Sequence, residues 1–145
     1  MAESFRSKGL MSNIILLDTS VIVDHLRTRR YQQLIDSVSG LIRFSSVVLA
    51  ELWRGAGRRE EHELLRTIQR TYPILTPTER NWLDSGELLL RIYEGRKLAP
   101  SKLRDLHFDV LIALTARSHG ARLITSNRAD FELINRYRRI QLEIW

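Results

Sequence analysis

Apolar residues fall along this chain in short blocks that alternate between two periodicities. Ile14-Ile15-Leu16-Leu17 is a continuous apolar run that stops at Asp18, which is the pattern of a buried strand. Asp18, Thr19 and Ser20 are helix-capping residue types, and they stand directly before Val21-Ile22-Val23-Asp24-His25-Leu26, so a helix is predicted to start there. A second short helix is predicted over residues 31–38, ending at Gly40, and a second strand over 41–44. Ser45 or Ser46 then caps a helix over 47–54, stopped by Gly55 and Gly57. Residues 60–71 read as a helix charged on one side, and Ile74-Leu75 as a short strand between Pro73 and Pro77. A long amphipathic helix follows over 79–93, with a loop predicted over 95–100. Residues 103–119 form a further helix with Leu106, Val110, Ala113 and Leu114 on one side, closed by Gly120. Residues 122–125 are strand-like, Ser126-Asn127 caps a short helix around 129–134, and the alternation over 140–144 predicts a last edge strand.

Strands alternating with helices from end to end predict a mostly parallel sheet with helices on both faces. In such α/β folds the ligand site lies outside the carboxyl ends of the strands. A chain of 145 residues suits one domain. Its first residues are polar and aperiodic, so the expected division is an N-terminal extension over 1–11 and one folded domain over 12–145. With no cysteine, disulfide scaffolds, thiol nucleophiles and cysteine-based metal sites are excluded. No apolar run approaches membrane-spanning length and none follows the charged start, so no membrane partner and a cytoplasmic location are expected. Lys plus Arg is 23 against 17 Asp plus Glu, a formal net charge of +6. That excess is mostly arginine, clustered at 27–30, 58–59 and 136–139, and arginine forks phosphate bidentately. Nucleic acid is therefore the first polyanion to consider, and an anionic membrane surface the second.

Several catalytic templates are missing. There is no phosphate-binding glycine loop, no second histidine after His62-Glu63 to complete a zinc-protease helix, and no nucleophile elbow. What the chain offers is carboxylates at strand ends. Asp18 follows the first strand, and Asp130 closely follows the strand over 122–125. Glu51 and Asp109 are each the one acid in an otherwise small or apolar helical stretch. Each acid has a plain structural reading. Asp18 and Asp130 could cap helices, Glu51 could pair with Arg54 or Arg58, and Asp109 with Arg104 or Arg117. These readings do not explain why all four fall on one rim of one sheet. Carboxylates about 5 Å apart repel by roughly 3 kcal/mol per pair at an effective dielectric near 20, so acids sharing a pocket call for a cation. Hard oxygen donors suit Mg²⁺ or Mn²⁺, which in turn suits hydrolysis of a phosphodiester. Neutralising Asp18 or Asp109 is then expected to relieve repulsion in the metal-free protein.

Four ordered blocks carry a resemblance. They are residues 16–22 (LLDTSVI), 45–52 (SSVVLAEL), 109–116 (DVLIALTA) and 123–131 (LITSNRADF). Together they resemble the PIN domain, and within it the VapC-type toxins of toxin–antitoxin pairs, over roughly residues 12–145. The resemblance implies a three-layer α/β/α sandwich and an endoribonuclease dependent on Mg²⁺ or Mn²⁺. It also implies a homodimer held in check by a cognate antitoxin, with RNA as substrate. It places the metal-site acids on Asp18, Glu51, Asp109 and Asp130, and supporting polar groups on Thr19, Ser126 and Asn127. Asp105, one helical turn before Asp109, competes with it as inner ligand; Asp109 is preferred because the apolar run follows it directly. A PIN nuclease of RNA processing or decay, and a non-catalytic RNA-binding domain, are the alternative readings.

Overall fold

A computed structural model describes residues 13–145. The expected N-terminal extension lies outside the described residues. Among them five strands, β1 (Ile14–Leu17), β2 (Leu41–Ser45), β3 (Ile74–Leu75), β4 (Arg122–Thr125) and β5 (Gln141–Ile144), alternate with helices. The helices are α1 (Thr19–Thr28), α2 (Gln32–Ser37), α3 (Ser46–Gly55), α4 (Arg59–Thr71), α5 (Glu79–Arg96), α6 (Pro100–Ser118) and α7 (Arg128–Tyr137). The strands form one sheet in the order β3-β2-β1-β4-β5, and every pairing is parallel. Leu16 lies opposite Arg43 on one side and Leu123 on the other. The chain builds outward from β1 to β3, then returns to the other side of β1 with β4. The crevice beside the carboxyl ends of β1 and β4 is therefore the switch point at which open parallel sheets hold ligands.

Burial explains the central elements. Ile15 and Leu16 of β1 and Leu123 and Ile124 of β4 are fully buried, so a strand covered by helices on both faces needs apolar residues without alternation. Helix α6 departs from the one-sided stripe expected of it, because every residue from Val110 to Ala116 is buried. It packs against α3, α5, α7 and β4, and a helix enclosed on several sides is apolar all round. Asp109 stands at the edge of that enclosed stretch. Helix α6 ends in a reversed turn at Gly120, with a positive φ of 61°, where the Ala121 N–H reaches back to Ala116 O at 2.9 Å.

The loop expected over 95–100 shrinks to residues 97–99. Helix α5 continues to Arg96 and α6 already begins at Pro100, a residue suited to the first helical turn. Gly95 is therefore a helix residue, present because a Cβ there would collide with the Tyr137 hydroxyl of α7. Helix α5 starts with a reciprocal cap, Thr78 accepting from the Asn81 N–H and Asn81 accepting from the Thr78 N–H. Trp82, Leu83, Leu90 and Tyr93 of this helix are exposed, whereas Leu89 packs against the core. Among the described residues no helix is long and apolar enough to cross a membrane.

Candidate active site at the carboxyl end of the sheet

Asp18 occupies the first position beyond β1. Its N–H donates to Ile124 O at 2.8 Å, which fastens the β1 end to β4. It stands in the capping position of α1, yet its side chain makes no capping hydrogen bond. Instead its Oδ2 accepts from the Ser20 hydroxyl at 2.7 Å and from the Thr125 hydroxyl at 2.8 Å. The carboxylate is buried, at 3% exposure, and among the described residues it is held by two hydroxyls rather than by a basic side chain.

Glu51 projects from α3, which Ser45 caps by accepting from the Val47 and Val48 N–H groups. Its Oε1 accepts from the Thr19 hydroxyl at 2.8 Å. Burial raises the Glu51 carboxyl above its ordinary range, the Thr19 hydrogen bond pulls it back, and the charge of Asp18 raises it further. Asp130 lies in the first turn of α7, whose cap is Asn127, accepting from the Asp130 N–H at 3.4 Å. Lys102 of α6 donates to both Asp130 oxygens, at 2.8 and 3.0 Å, and Asn127 Nδ2 donates to Oδ2 at 3.1 Å.

Asp109 is the group under most strain. Burial raises its carboxyl first, then the charges of Asp18, Asp130 and Glu51, while Lys102 opposes them. The outcome is a carboxyl pushed up to about 8. No ion pair to Asp109 is present among the described residues. Electrostatics thus link all four acids at one place. Glu51, Asp109 and Asp130 line one open cavity of about 480 Å³ together with Arg54, Arg104, Asp105 and Phe108. Asp18 is not on that wall; it is buried, and its charge acts on both Glu51 and Asp109. Asp105 is exposed at the cavity margin.

Among the described residues no three acid or histidine side chains are drawn together tightly enough to ligate a cation as they stand. Asp130 engages Lys102, and Glu51 engages Thr19. The donor set still fits a hard divalent ion, because it is all oxygen and includes a carboxyl with no counter-charge of its own.

The supporting residues divide. Thr19 and Asn127 each hold an acid, through Glu51 and Asp130. Ser126 reaches a different acid: its hydroxyl lies 3.5 Å from Asp24 Oδ2, while its N–H donates at 3.2 Å to Ser20 Oγ, the hydroxyl that holds Asp18. Three residues escaped sequence reasoning: Ser20, Thr125 and Lys102. Thr125 became visible only once β4 was placed beside β1. Lys102 carried a usable signal, since it precedes Asp109 by seven residues, two turns along one helix face.

A second cavity of about 410 Å³ shares Glu51 and is lined by Thr19, Val23, Leu26, Arg27, Leu52 and Arg58, among others. Leu26 and Leu52 continue into an apolar groove with Ile22, Leu64, Leu65 and Ile68.

The sequence pattern of the family described as PIN domain matches residues 15–137. No match is found among curated proteins. Three solved structures resemble the fold. VapBC2 from Rickettsia felis, bound to a DNA fragment from its promoter, is 26% identical with a TM-score of 0.70, covering 91% of this chain and 98% of that one. VapBC-1 from nontypeable Haemophilus influenzae is 24% identical with a TM-score of 0.68, at coverages of 91% and 98%. DNA-bound VapBC from Salmonella typhimurium is 21% identical with a TM-score of 0.65, at coverages of 90% and 97%.

Proposed function

The chain belongs to the PIN domain family, and from that premise we propose that it is a metal-dependent endoribonuclease, the toxin half of a toxin–antitoxin pair. The observation that carries this reading is the convergence of Glu51, Asp109 and Asp130 on one cavity beside the buried Asp18, where burial first and then the charges of Asp18, Asp130 and Glu51 push Asp109 up to about 8. A site that gathers four carboxylates, of which Asp130 is ion-paired to Lys102 while Asp109 is not paired among the described residues, is built to receive a cation. Asp18, Glu51, Asp109 and Asp130 would hold it, in the form of Mg²⁺ or Mn²⁺. Such an ion supplies Lewis-acid activation of water and neutralises charge on the phosphate.

The chain's own residues do the rest. Ser20 and Thr125 fix the Asp18 carboxylate, and Thr19 fixes Glu51. Lys102 and Asn127 hold Asp130. Arg54 and Arg104 stand at the cavity wall, where guanidinium groups meet a sugar-phosphate backbone bidentately. In-line attack of water on phosphorus, with the 3′ oxygen leaving, gives 5′-phosphate and 3′-hydroxyl ends.

The structural neighbours are VapBC proteins, and they support a protein partner here as well. The groove that runs from Glu51 past Leu26 and Leu52 suits an amphipathic antitoxin segment that directs a basic side chain toward the acids. The exposed Trp82, Leu83, Leu90 and Tyr93 of α5 suit a homodimer contact, since a cluster of large apolar residues on one helix is costly to leave in water.

The test is RNA cleavage by purified protein with Mg²⁺ or Mn²⁺ and with EDTA. Cleavage that stops with chelation, leaves 5′-phosphates, and disappears in Asp18→Asn and Asp109→Asn but not in Asp105→Asn supports the reading. Cleavage that survives EDTA or leaves 2′,3′-cyclic phosphates overturns it.

A further inference from the structure

One side chain in the acid-lined cavity has no part in holding charge. Phe108 immediately precedes Asp109 on α6, and its ring lines the same wall as Glu51, Asp109 and Asp130. It is only partly buried, packed against the core while also lining a polar cavity. An aromatic ring at such a place leaves apolar surface in water. Arg54 covers part of it, with its guanidinium carbon 5.4 Å from the ring centroid. Arg54 is one helical turn beyond Glu51 on α3 and is itself exposed, so that cover can be withdrawn. The cavity, at about 480 Å³, falls within the roughly 300–1,000 Å³ of ligand clefts.

We propose that Phe108 and Arg54 form a stacking site for one unpaired nucleobase next to the scissile phosphate. The inference rests on the ribonuclease reading and adds to it how one nucleotide of the substrate is placed. A base held against Phe108 must be out of any duplex, so the site selects single-stranded segments. Unpaired bases stack on aromatic faces and on guanidinium planes alike, and both kinds of surface line this cavity. The ring and Asp109 sit on consecutive positions of one rigid helix. Docking the base on Phe108 therefore fixes the distance between that nucleotide and the acids, and makes Phe108 a positioning residue for the cut.

The experiment uses single-stranded RNA oligonucleotides in which one abasic or one 2-aminopurine nucleotide is walked across the cleaved bond. With the parent protein, an abasic nucleotide at one position beside the bond should raise KM by roughly five- to hundredfold and leave neighbouring positions nearly neutral. Phe108→Ala should show the same rise on the intact oligonucleotide and no further rise on the abasic one. Phe108→Tyr should restore the parent behaviour. Phe108→Leu keeps the apolar packing without the ring and should behave like Phe108→Ala while melting like the parent. The 2-aminopurine fluorescence, read in EDTA so that no cleavage occurs, should be quenched on binding to the parent and not to Phe108→Leu. Cleavage with the same abasic tolerance at every position, or quenching that persists in Phe108→Leu, overturns the stacking site and leaves the nuclease reading standing. If no RNA is bound or cut under any condition, both fall together.

Discussion

Neutralising Asp109 should stabilise the metal-free protein, and the gain should grow with pH. Its carboxyl is pushed up from 3.8 to about 8 by burial and by Asp18, Asp130 and Glu51. In the unfolded chain it loses its proton near its ordinary value. Between those two values the folded state binds more protons than the unfolded state, so stability falls as pH rises. Below about 4 the penalty is absent, and above about 8 it is complete. At roughly 1.4 kcal/mol per pH unit the whole span sets a ceiling of about 6 kcal/mol. Asp109 borders an open cavity, and water entering from that side lowers the figure to an order of 2–3 kcal/mol. A domain of this size shifts in Tm by about 3–5 °C per kcal/mol. Asp109→Asn should therefore melt about 10 °C above the parent at pH 8.5 in EDTA, with the gap closing toward pH 5. The assay is a thermal melt followed by circular dichroism at several pH values. A variant that melts below the parent at pH 8.5, or a gap that does not change with pH, refutes the crowding argument. The sequence led to the same expectation for Asp18, where Asp18→Asn also disturbs the hydrogen bonds from the Ser20 and Thr125 hydroxyls.

Three other outcomes follow from the hydrogen bonds and the exposed surface. Thr125→Val removes a buried hydroxyl from Asp18 Oδ2 and should cost about 2 kcal/mol in denaturant unfolding, with a loss of cleavage greater than its loss of stability. Lys102→Met removes the one cation bonded to Asp130 among the described residues. It should tighten Mn²⁺ binding several-fold by calorimetry, because the metal no longer competes with an ammonium group. Trp82→Asp with Leu90→Asp should convert a dimer to a monomer in light scattering; a parent that is monomeric at micromolar concentration would count against that contact.

Much of this fold is legible in the sequence because the central strands are continuous apolar runs. Strands β1, β3 and β4 begin and end where the pattern places them. The extent of α5 is less legible, since Gly95 reads as a loop residue until Tyr137 is packed against it. The enclosure of α6 is equally hidden, because a stripe of apolar residues does not disclose how many neighbours a helix has. At the site, the acids stand out as single charges in apolar surroundings. Their partners do not. Thr125 and Ser20 are ordinary hydroxyl residues until β4 lies beside β1, and Lys102 meets Asp130 only through the packing of α6 on α7. Ser126, placed among the supporting groups by the resemblance, reaches Asp24 with its hydroxyl and Ser20 with its N–H. Sequence position identifies the rim of the sheet, and side-chain direction within that rim is settled by packing.

The central claim is that Asp18, Glu51, Asp109 and Asp130 act together as one divalent-cation site, and Mn²⁺ titration by calorimetry tests it most directly. Metal binding requires deprotonated carboxylates, so the titration is run at pH 8 in two buffers of different ionisation heat. The account predicts saturable binding in the parent, proton release that includes the Asp109 proton, and loss of both in Asp109→Asn. Binding of the same strength in Asp109→Asn, or no binding to the parent at millimolar Mn²⁺, would contradict it.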